Sequence, residues 1–361
     1  MTTKKFHLSL ILTNQCNLSC IYCYENNKSK QRMDVNVCKD IIAKHLDMPE
    51  YDEVEIEFFG GEPFLEFQTI KEVCEWVWSK TWKNKYIFFA TTNGVLITEE
   101  IKEWLRAYKE RFWVSLSLDG KKHSHDINRS KSFDKIDLKF YKECWPKQTV
   151  KMTISKESVY YIYDNIVYIH SLGYDITGTN FAEGIDWEDT KFVSIVAKEL
   201  EKLCQFYIDH PEIKPVPLIN MAIHKCAENK KKTKWCGCGE HMVAYETDGS
   251  KHPCTFITPM TFSSDILNSV QDVDYKNPEY FIDEHCFNNC YLHPVCTSCY
   301  GANLLSNGKI NVRDKSKCEL TKIRAVFSAA LRAHKILNDP VGTPENNLAI
   351  IAIKKIQELY N

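Results

Sequence analysis

Sixteen cysteines in 361 residues constrain this chain more than any other feature, because eleven of them gather in three short clusters. Cys16, Cys20 and Cys23 form a C-x3-C-x2-C run. Cys236, Cys238 and Cys254 form a second group, and Cys286, Cys290, Cys296, Cys299 and Cys318 a third. A chain of this length buries enough core to do without disulfide staples. Its first twelve residues carry two lysines and then only a short apolar stretch interrupted by His7 and Ser9, which is not a secretory signal. No run approaches the ~18 apolar residues of a membrane span. The expectation is a cytoplasmic protein with no membrane partner, whose cysteine clusters serve metal or redox chemistry.

The distribution of thiols narrows that chemistry. Eight of the clustered cysteines fill two four-cysteine sites, while the first three leave a metal site one ligand short, and an open metal position is where chemistry happens. Zinc is the bland alternative. Zinc ribbons pair two C-x2-C knuckles about 15–20 residues apart, whereas 286–299 packs four cysteines into one tight run. That crowding suits iron-sulfur cubanes better. The other five cysteines read as core residues: Cys38 shares a helical stripe with Val35, Ile42 and Leu46, Cys74 with Ile70, Val73 and Val77, and Cys204 with Leu200, Leu203 and Tyr207. Cys144 and Cys226 lack such stripes but are solitary, and a solitary cysteine is usually inert; Cys226 is kept as a reserve ligand.

Around these clusters the composition is that of an ordinary folded chain. Lys+Arg 46 against Asp+Glu 48 gives a net charge of -2, so no global field draws in nucleic acid. The first half alternates apolar β-rich runs at 7–13, 53–60, 86–92, 112–119, 149–155 and 175–181 with helical patterns at 35–46, 70–80, 99–110, 136–144, 160–172 and 191–208. Six such units predict an α/β fold with a parallel sheet, open or closed, and in parallel barrels the chemistry collects in loops at the carboxyl ends of strands. The unusual residues fall there: Cys16, Cys20 and Cys23 after the first strand, Gly60-Gly61-Glu62-Pro63 after the second, Thr92-Asn93-Gly94 after the third, and Ser117, Asp119 and Gly120 at the end of the fourth. Composition shifts near residue 211, where prolines precede a basic linker at 229–234. The expected organisation is a barrel at 1–210, a bridging region at 211–235 and a cysteine-rich extension at 236–361, closed by helices at 320–337 and 346–360.

The cysteine run with Tyr22 before its last cysteine, followed by Gly60-Gly61-Glu62-Pro63, resembles the radical S-adenosylmethionine (SAM) superfamily. The second half, with Gly249-x4-Cys254, the C-x3-C-x5-C-x2-C run and a late Cys318, resembles the SPASM extension. The resemblance covers nearly the whole chain. It implies a partial (β/α)6 TIM-type barrel followed by a SPASM iron-sulfur extension with closing helices.

It further implies a [4Fe-4S] cluster on Cys16, Cys20 and Cys23 whose free iron chelates SAM. One electron then cleaves SAM to methionine and a 5'-deoxyadenosyl radical. Glu62 would accept from the SAM amino group, with Gly60, Gly61 and Pro63 shaping the close approach. Tyr22 would contact the adenine, Arg129 would pair with the SAM carboxylate, and Ser117 and Asn93 are further cofactor contacts. Two auxiliary [4Fe-4S] clusters are implied, one on Cys236, Cys238, Cys254 and Cys299, the other on Cys286, Cys290, Cys296 and Cys318. The spacing of this run mirrors the family's usual x2, x5, x3 order, so the partition stays open, with Cys226 in reserve.

SPASM enzymes mostly act on peptides. The leading expectation is maturation of a ribosomally synthesised precursor peptide by a thioether or carbon-carbon crosslink. Oxidation of a sulfatase residue to formylglycine is the alternative, and that branch expects an Asp straight after Cys254, where Thr255 stands. A non-catalytic iron-sulfur electron carrier is the reading from another class. The first strand starts near His7, leaving no room for an N-terminal leader-binding domain, so a separate leader-binding protein or the chain itself would read the leader. A flavodoxin- or ferredoxin-type protein would donate electrons. The candidates for the substrate base are His123, His125, Tyr24 and Glu183.

Overall fold

Alternation along the strands sets the architecture. In β1 (Lys5–Thr13), Leu8 and Leu10 are fully buried, while Ser9 falls on the opposite face. The computed structural model describes residues 3–338 and 342–360, so the outer ends of the expected domains, residues 1 and 361, lie outside the described residues. After β1 come α1 (Val35–Leu46), β2 (Glu53–Gly60), α2 (Phe67–Trp78), β3 (Lys85–Thr92), α3 (Glu99–Tyr108) and β4 (Phe112–Ser117). The chain continues through α4 (Lys122–Asn128), α5 (Leu138–Cys144), β5 (Thr149–Ile154), α6 (Ile162–Ser171), β6 (Asp175–Phe181) and α7 (Thr190–Asp209). The second half holds β7 (Met242–Tyr245), β8 (Lys251–His252), α8 (Ser264–Asn268), α9 (Glu284–Asn289), α10 (Tyr300–Asn307), α11 (Cys318–Asn338) and α12 (Pro344–Tyr360).

The chain forms two compact units, neither continuous in sequence. One comprises Met1–Ser117, Arg129–Gln148 and Cys236–Asn277, the other Leu118–Asn128, Thr149–Trp235 and Pro278–Asn361. In the first, β1 to β4 pair in parallel and in sequence order, with Leu8 opposite Ile56, Ile56 opposite Phe88 and Phe88 opposite Phe112. Phe58 stacks on Phe88 with ring centroids 5.5 Å apart. Burying each such ring contributes about 2–3 kcal/mol before entropy is counted. Helices α1 to α3 turn Ile42, Leu46, Ile70, Val73, Val77 and Leu105 inward, all fully buried. Asp34 caps α1, its carboxylate accepting from Asn36 N at 2.8 Å.

Six strands and six of the following helices lie where the period of the apolar residues put them, within a few residues at each end. The short pieces escaped the sequence reading. β7 pairs in parallel with the other side of β1, His7 opposite Met242 and Leu10 opposite Tyr245, but four residues are too few to show a strand period. In the second unit β5 and β6 pair in parallel, and α11 packs against α7 and α12. An apolar cluster there gathers Ile223, Cys226, Leu292, Val295, Ala325, Ala329, Ala352 and Ile356. All five cysteines read as core residues are buried.

Candidate functional site

The loop after β1 is held at its root by its neighbour. Gly61 N donates to Thr13 O at 3.0 Å and Glu62 N to Gln15 O at 2.8 Å. This contact is so close that a Cβ on Gly61 would lie 2.1 Å from the Gln15 carbonyl oxygen. Gly60 has φ +134, a conformation open to glycine, and a Cβ there would meet Thr13 O at 2.3 Å. Farther along the same loop Cys16, Cys20 and Cys23 are half-buried, with Cys23 N donating to Cys20 O at 3.1 Å. Burial raises the Cys16 and Cys23 thiols above their ordinary value, so a metal that binds there must displace their protons.

Glu62, at 1% exposure, is the hub. Its Oε1 accepts from Thr92 Oγ1 at 2.7 Å and from Phe64 N at 3.2 Å, and its Oε2 from Asn93 N at 2.8 Å. Burial pushes its carboxyl up to about 7, against the pull of these donors and of the Arg129 guanidinium. Pro63 opens the short 3-10 turn that Glu62 caps. Asn93 ties the third loop to the first: its Nδ2 donates to Asn17 Oδ1 at 2.8 Å and lies 4.0 Å from Cys16 Sγ. Arg129, 8% exposed, holds its guanidinium 5.4 Å from the centre of the Tyr22 ring. The next residues, Ser130 and Lys131, have φ near +54, and Ser130 Oγ accepts from Ser19 N at 2.9 Å. This tie holds Arg129 beside the cysteine loop at a cost in backbone strain.

The structure therefore brings Cys16, Tyr22, Gly60, Gly61, Glu62, Pro63, Asn93 and Arg129 into one set of connected contacts. Ser117 is buried at the end of β4. Sequence reasoning missed Thr92 as a partner of Glu62 and Asn17 as a partner of Asn93. The four base candidates are engaged elsewhere: Tyr24 stacks on Phe256 at 3.9 Å, His123 meets Tyr161 edge-on, Glu183 pairs with Lys317, and buried His125 accepts from Asp119 N at 3.4 Å.

The later cysteines form two gatherings. In the first unit the Cys238 thiol hydrogen-bonds with both Cys236 and Cys254, contacts that together with burial raise it well above the ordinary range. In the second unit Cys286, Cys290, Cys296, Cys299 and Cys318 line one cavity of about 70 Å³. Cys318 lies within electrostatic reach of Cys296 and Cys290, and burial pushes the Cys286 thiol up to about 11. Cys226 is buried in the apolar cluster and feels Cys290. His293 lines the same cavity, and burial, with Arg313 and Lys230 nearby, lowers it to about 4. Among the described residues no three Cys, His, Asp or Glu side chains stand in metal-ion geometry. The donor set is nonetheless that of iron-sulfur ligation, three thiols on one clamped loop and thiol-lined sites farther on. Among the described residues no helix is long and apolar enough to cross a membrane.

Residues 10–143 match the Radical SAM superfamily. An uncharacterized protein of Methanocaldococcus jannaschii is 38% identical over 115 residues, 32% of this chain, which spans only 38% of that protein's length. The radical SAM cyclopropyl synthase TigE of Paramaledivibacter caminithermalis is 23% identical over 88% of this chain and 72% of its own. AlbA, the subtilosin biosynthesis protein of Bacillus subtilis, is 25% identical over 83% of this chain and 68% of its own. Among solved structures, anSMEcpe with bound AdoMet superposes with a TM-score of 0.69 at 17% identity, over 92% of this chain and 99% of that one. Streptococcus suis SuiB bound to precursor peptide SuiA gives 0.55 at 19% identity, over 87% of this chain and 76% of that one. The fold is thus the partial TIM-type barrel with a helical C-terminal extension that the cysteine pattern led us to expect. Residues 10–143, with the clamped C-x3-C-x2-C loop among them, thus match the Radical SAM superfamily over that part of the chain, and the chain shares its fold with anSMEcpe.

Proposed function

We propose that this chain modifies a ribosomally synthesised precursor peptide by SAM-dependent radical chemistry, closing a thioether or carbon-carbon side-chain crosslink. The observation that carries the reading is the hydrogen-bonded join of the cysteine loop, the 60–63 loop and the 92–94 loop around one buried carboxylate, Glu62. A [4Fe-4S] cluster on Cys16, Cys20 and Cys23, when bound, supplies the electron that cleaves SAM. The chain's own residues bind and orient. Glu62, aimed by Thr92 and Asn93, accepts from the SAM amino group. Arg129, braced on Tyr22, offers a planar fork to the SAM carboxylate, and Tyr22 a face to the adenine. Ser117 and Asn93 complete the cofactor contacts, and Gly60 and Gly61 let the loops approach closely enough to exclude water.

In the extension the eight clustered cysteines would hold two auxiliary [4Fe-4S] clusters, making three per chain. Peptide chemistry is favoured by the relatives: TigE and AlbA are named for cyclopropyl synthesis and bacteriocin biosynthesis, and SuiB was solved with a precursor peptide. Sulfatase maturation is disfavoured because Thr255, not Asp, follows Cys254. A pure electron carrier has no use for the Glu62 and Arg129 arrangement. A precursor peptide and a flavodoxin- or ferredoxin-type donor are the partners this reading calls for.

The test is iron and acid-labile sulfide per chain after anaerobic reconstitution, with 5'-deoxyadenosine release on adding SAM and dithionite. About 12 irons are expected, falling by about four in the C16A/C20A/C23A triple variant with all SAM cleavage lost. Zinc without iron would sink the enzyme reading.

A further inference from the structure

Between Cys290 and Cys296, three residues from each, stands an imidazole that the SAM chemistry leaves without a task. His293 is 7% exposed and lines the cavity formed by Cys286, Cys290, Cys296, Cys299 and Cys318. Phe287 meets its ring edge-on at 5.2 Å and 86°, which limits how the ring can turn. Among the described residues its Nε2 is buried with no hydrogen-bond partner. Leaving such a nitrogen unpaired is unfavourable, so a group that arrives in the cavity and accepts a hydrogen bond relieves it. Sulfur is what this cavity gathers.

We infer that His293 donates its Nε2–H to a sulfur of the cluster held by Cys286, Cys290, Cys296 and Cys318, and so raises that cluster's reduction potential; this rests on the auxiliary-cluster reading above. Four thiolates already complete the outer ligation of a cubane, and Cys299 lines the same cavity, so the imidazole is not needed as an iron ligand. An N–H aimed at sulfur stabilises the negative charge that reduction adds, and hydrogen bonds to the sulfurs are among the groups that set such potentials. The surroundings act in the same direction. Arg313 donates to Cys296 O at 3.0 Å, and Lys230 to Phe287 O at 2.7 Å and Cys290 O at 3.0 Å, placing two cations against the carbonyls of the cysteine loop. His293 is on this account a positioning and tuning residue, not a ligand.

The experiment uses the reconstituted full-length protein, read by iron content, EPR-monitored redox titration and nitrogen hyperfine coupling. In His293→Leu the iron content stays at the wild-type level, one cluster's midpoint shifts to lower potential, and a weak nitrogen coupling is lost. His293→Gln, which keeps an N–H donor, restores part of the shift. Unchanged midpoints in a fully loaded His293→Leu protein overturn the inference. So do a coupling of directly bonded strength, or loss of about four irons in both variants, since either would make His293 a ligand. The Cys286→Ala/Cys290→Ala/Cys296→Ala variant, which leaves two of the five cavity thiols, separates the two levels: if it keeps the full iron content, no cluster sits in this cavity, and the auxiliary-cluster reading falls together with the inference.

Discussion

Gly61 has no room for a side chain, and what it would strike is backbone, the Gln15 carbonyl one residue before Cys16. Gly61→Ala therefore has to move the root of the cysteine loop. We expect a loss of about 1–3 kcal/mol in chemical denaturation, and iron loss confined to the first cluster. Intact stability and iron would mean that the loop yields freely. On the opposite face of the same strands, His7 Nε2 lies 3.0 Å from Glu57 Oε2, and its Nδ1 faces Glu55. Burial alone would lower His7, but Glu55 and Glu57 outweigh it and raise it to about 9 from 6.5, while Glu55 falls to about 2. Its contribution to stability is complete below pH 6.5, where both folded and unfolded chains hold the proton. It drains away as pH rises through about 9, because the unfolded chain gives up its proton first. His7→Gln is expected to flatten the fall of Tm between those two pH values. A slope equal to the wild type's would show that the pair does not couple to folding.

At the scale of elements, the caps and ties matter more than helix propensity. Asp283 caps α9 by accepting from Cys286 N at 3.0 Å, and its other oxygen accepts from Arg313 N at 3.0 Å. One carboxylate thus fixes both the start of the cysteine run and the segment leading to Cys318. Asp283→Ala is expected to cost about 1–2 kcal/mol and to lower iron retention in the extension, leaving the first cluster loaded; equal retention at both would refute this coupling. These ties also show where the sequence was legible. The longer strands and helices were visible because a buried face imposes a period on six or more residues. β7 was not, since its place beside β1 comes from register with His7 to Leu10 and not from its own four residues. α4 was missed for a similar reason: Ser124, His125 and Asn128 are buried polar residues, held by side-chain hydrogen bonds such as Asn128 to Asp119 at 3.1 Å, with no apolar stripe to announce them.

For the whole molecule, the proposed cluster binding links ligand binding to folding, because thiolates assembled only in the native chain would bind a cluster that the unfolded chain cannot hold. Reconstitution is expected to raise Tm above that of the metal-free protein, and chelation to reverse it; identical Tm values would mean the clusters sit on an already rigid frame. The sequence by itself determined the class of chemistry, since thiol number and spacing along a loop are local quantities, and it determined the parallel α/β frame, since apolar period is local too. It also marked Glu62 and Asn93, because each sits just beyond the end of a strand, whereas Arg129, past α4, was reached only through the family resemblance. Only the tertiary structure decided that Thr92 and Asn93 aim Glu62, that Ser130 ties Arg129 to the cysteine loop, and that His293 shares a cavity with five cysteines. It also decided that each compact unit draws on three separate stretches of chain. The bonds that aim Glu62 and tie Arg129's neighbour to the cysteine loop join residues 30 to 111 positions apart, which no local pattern encodes.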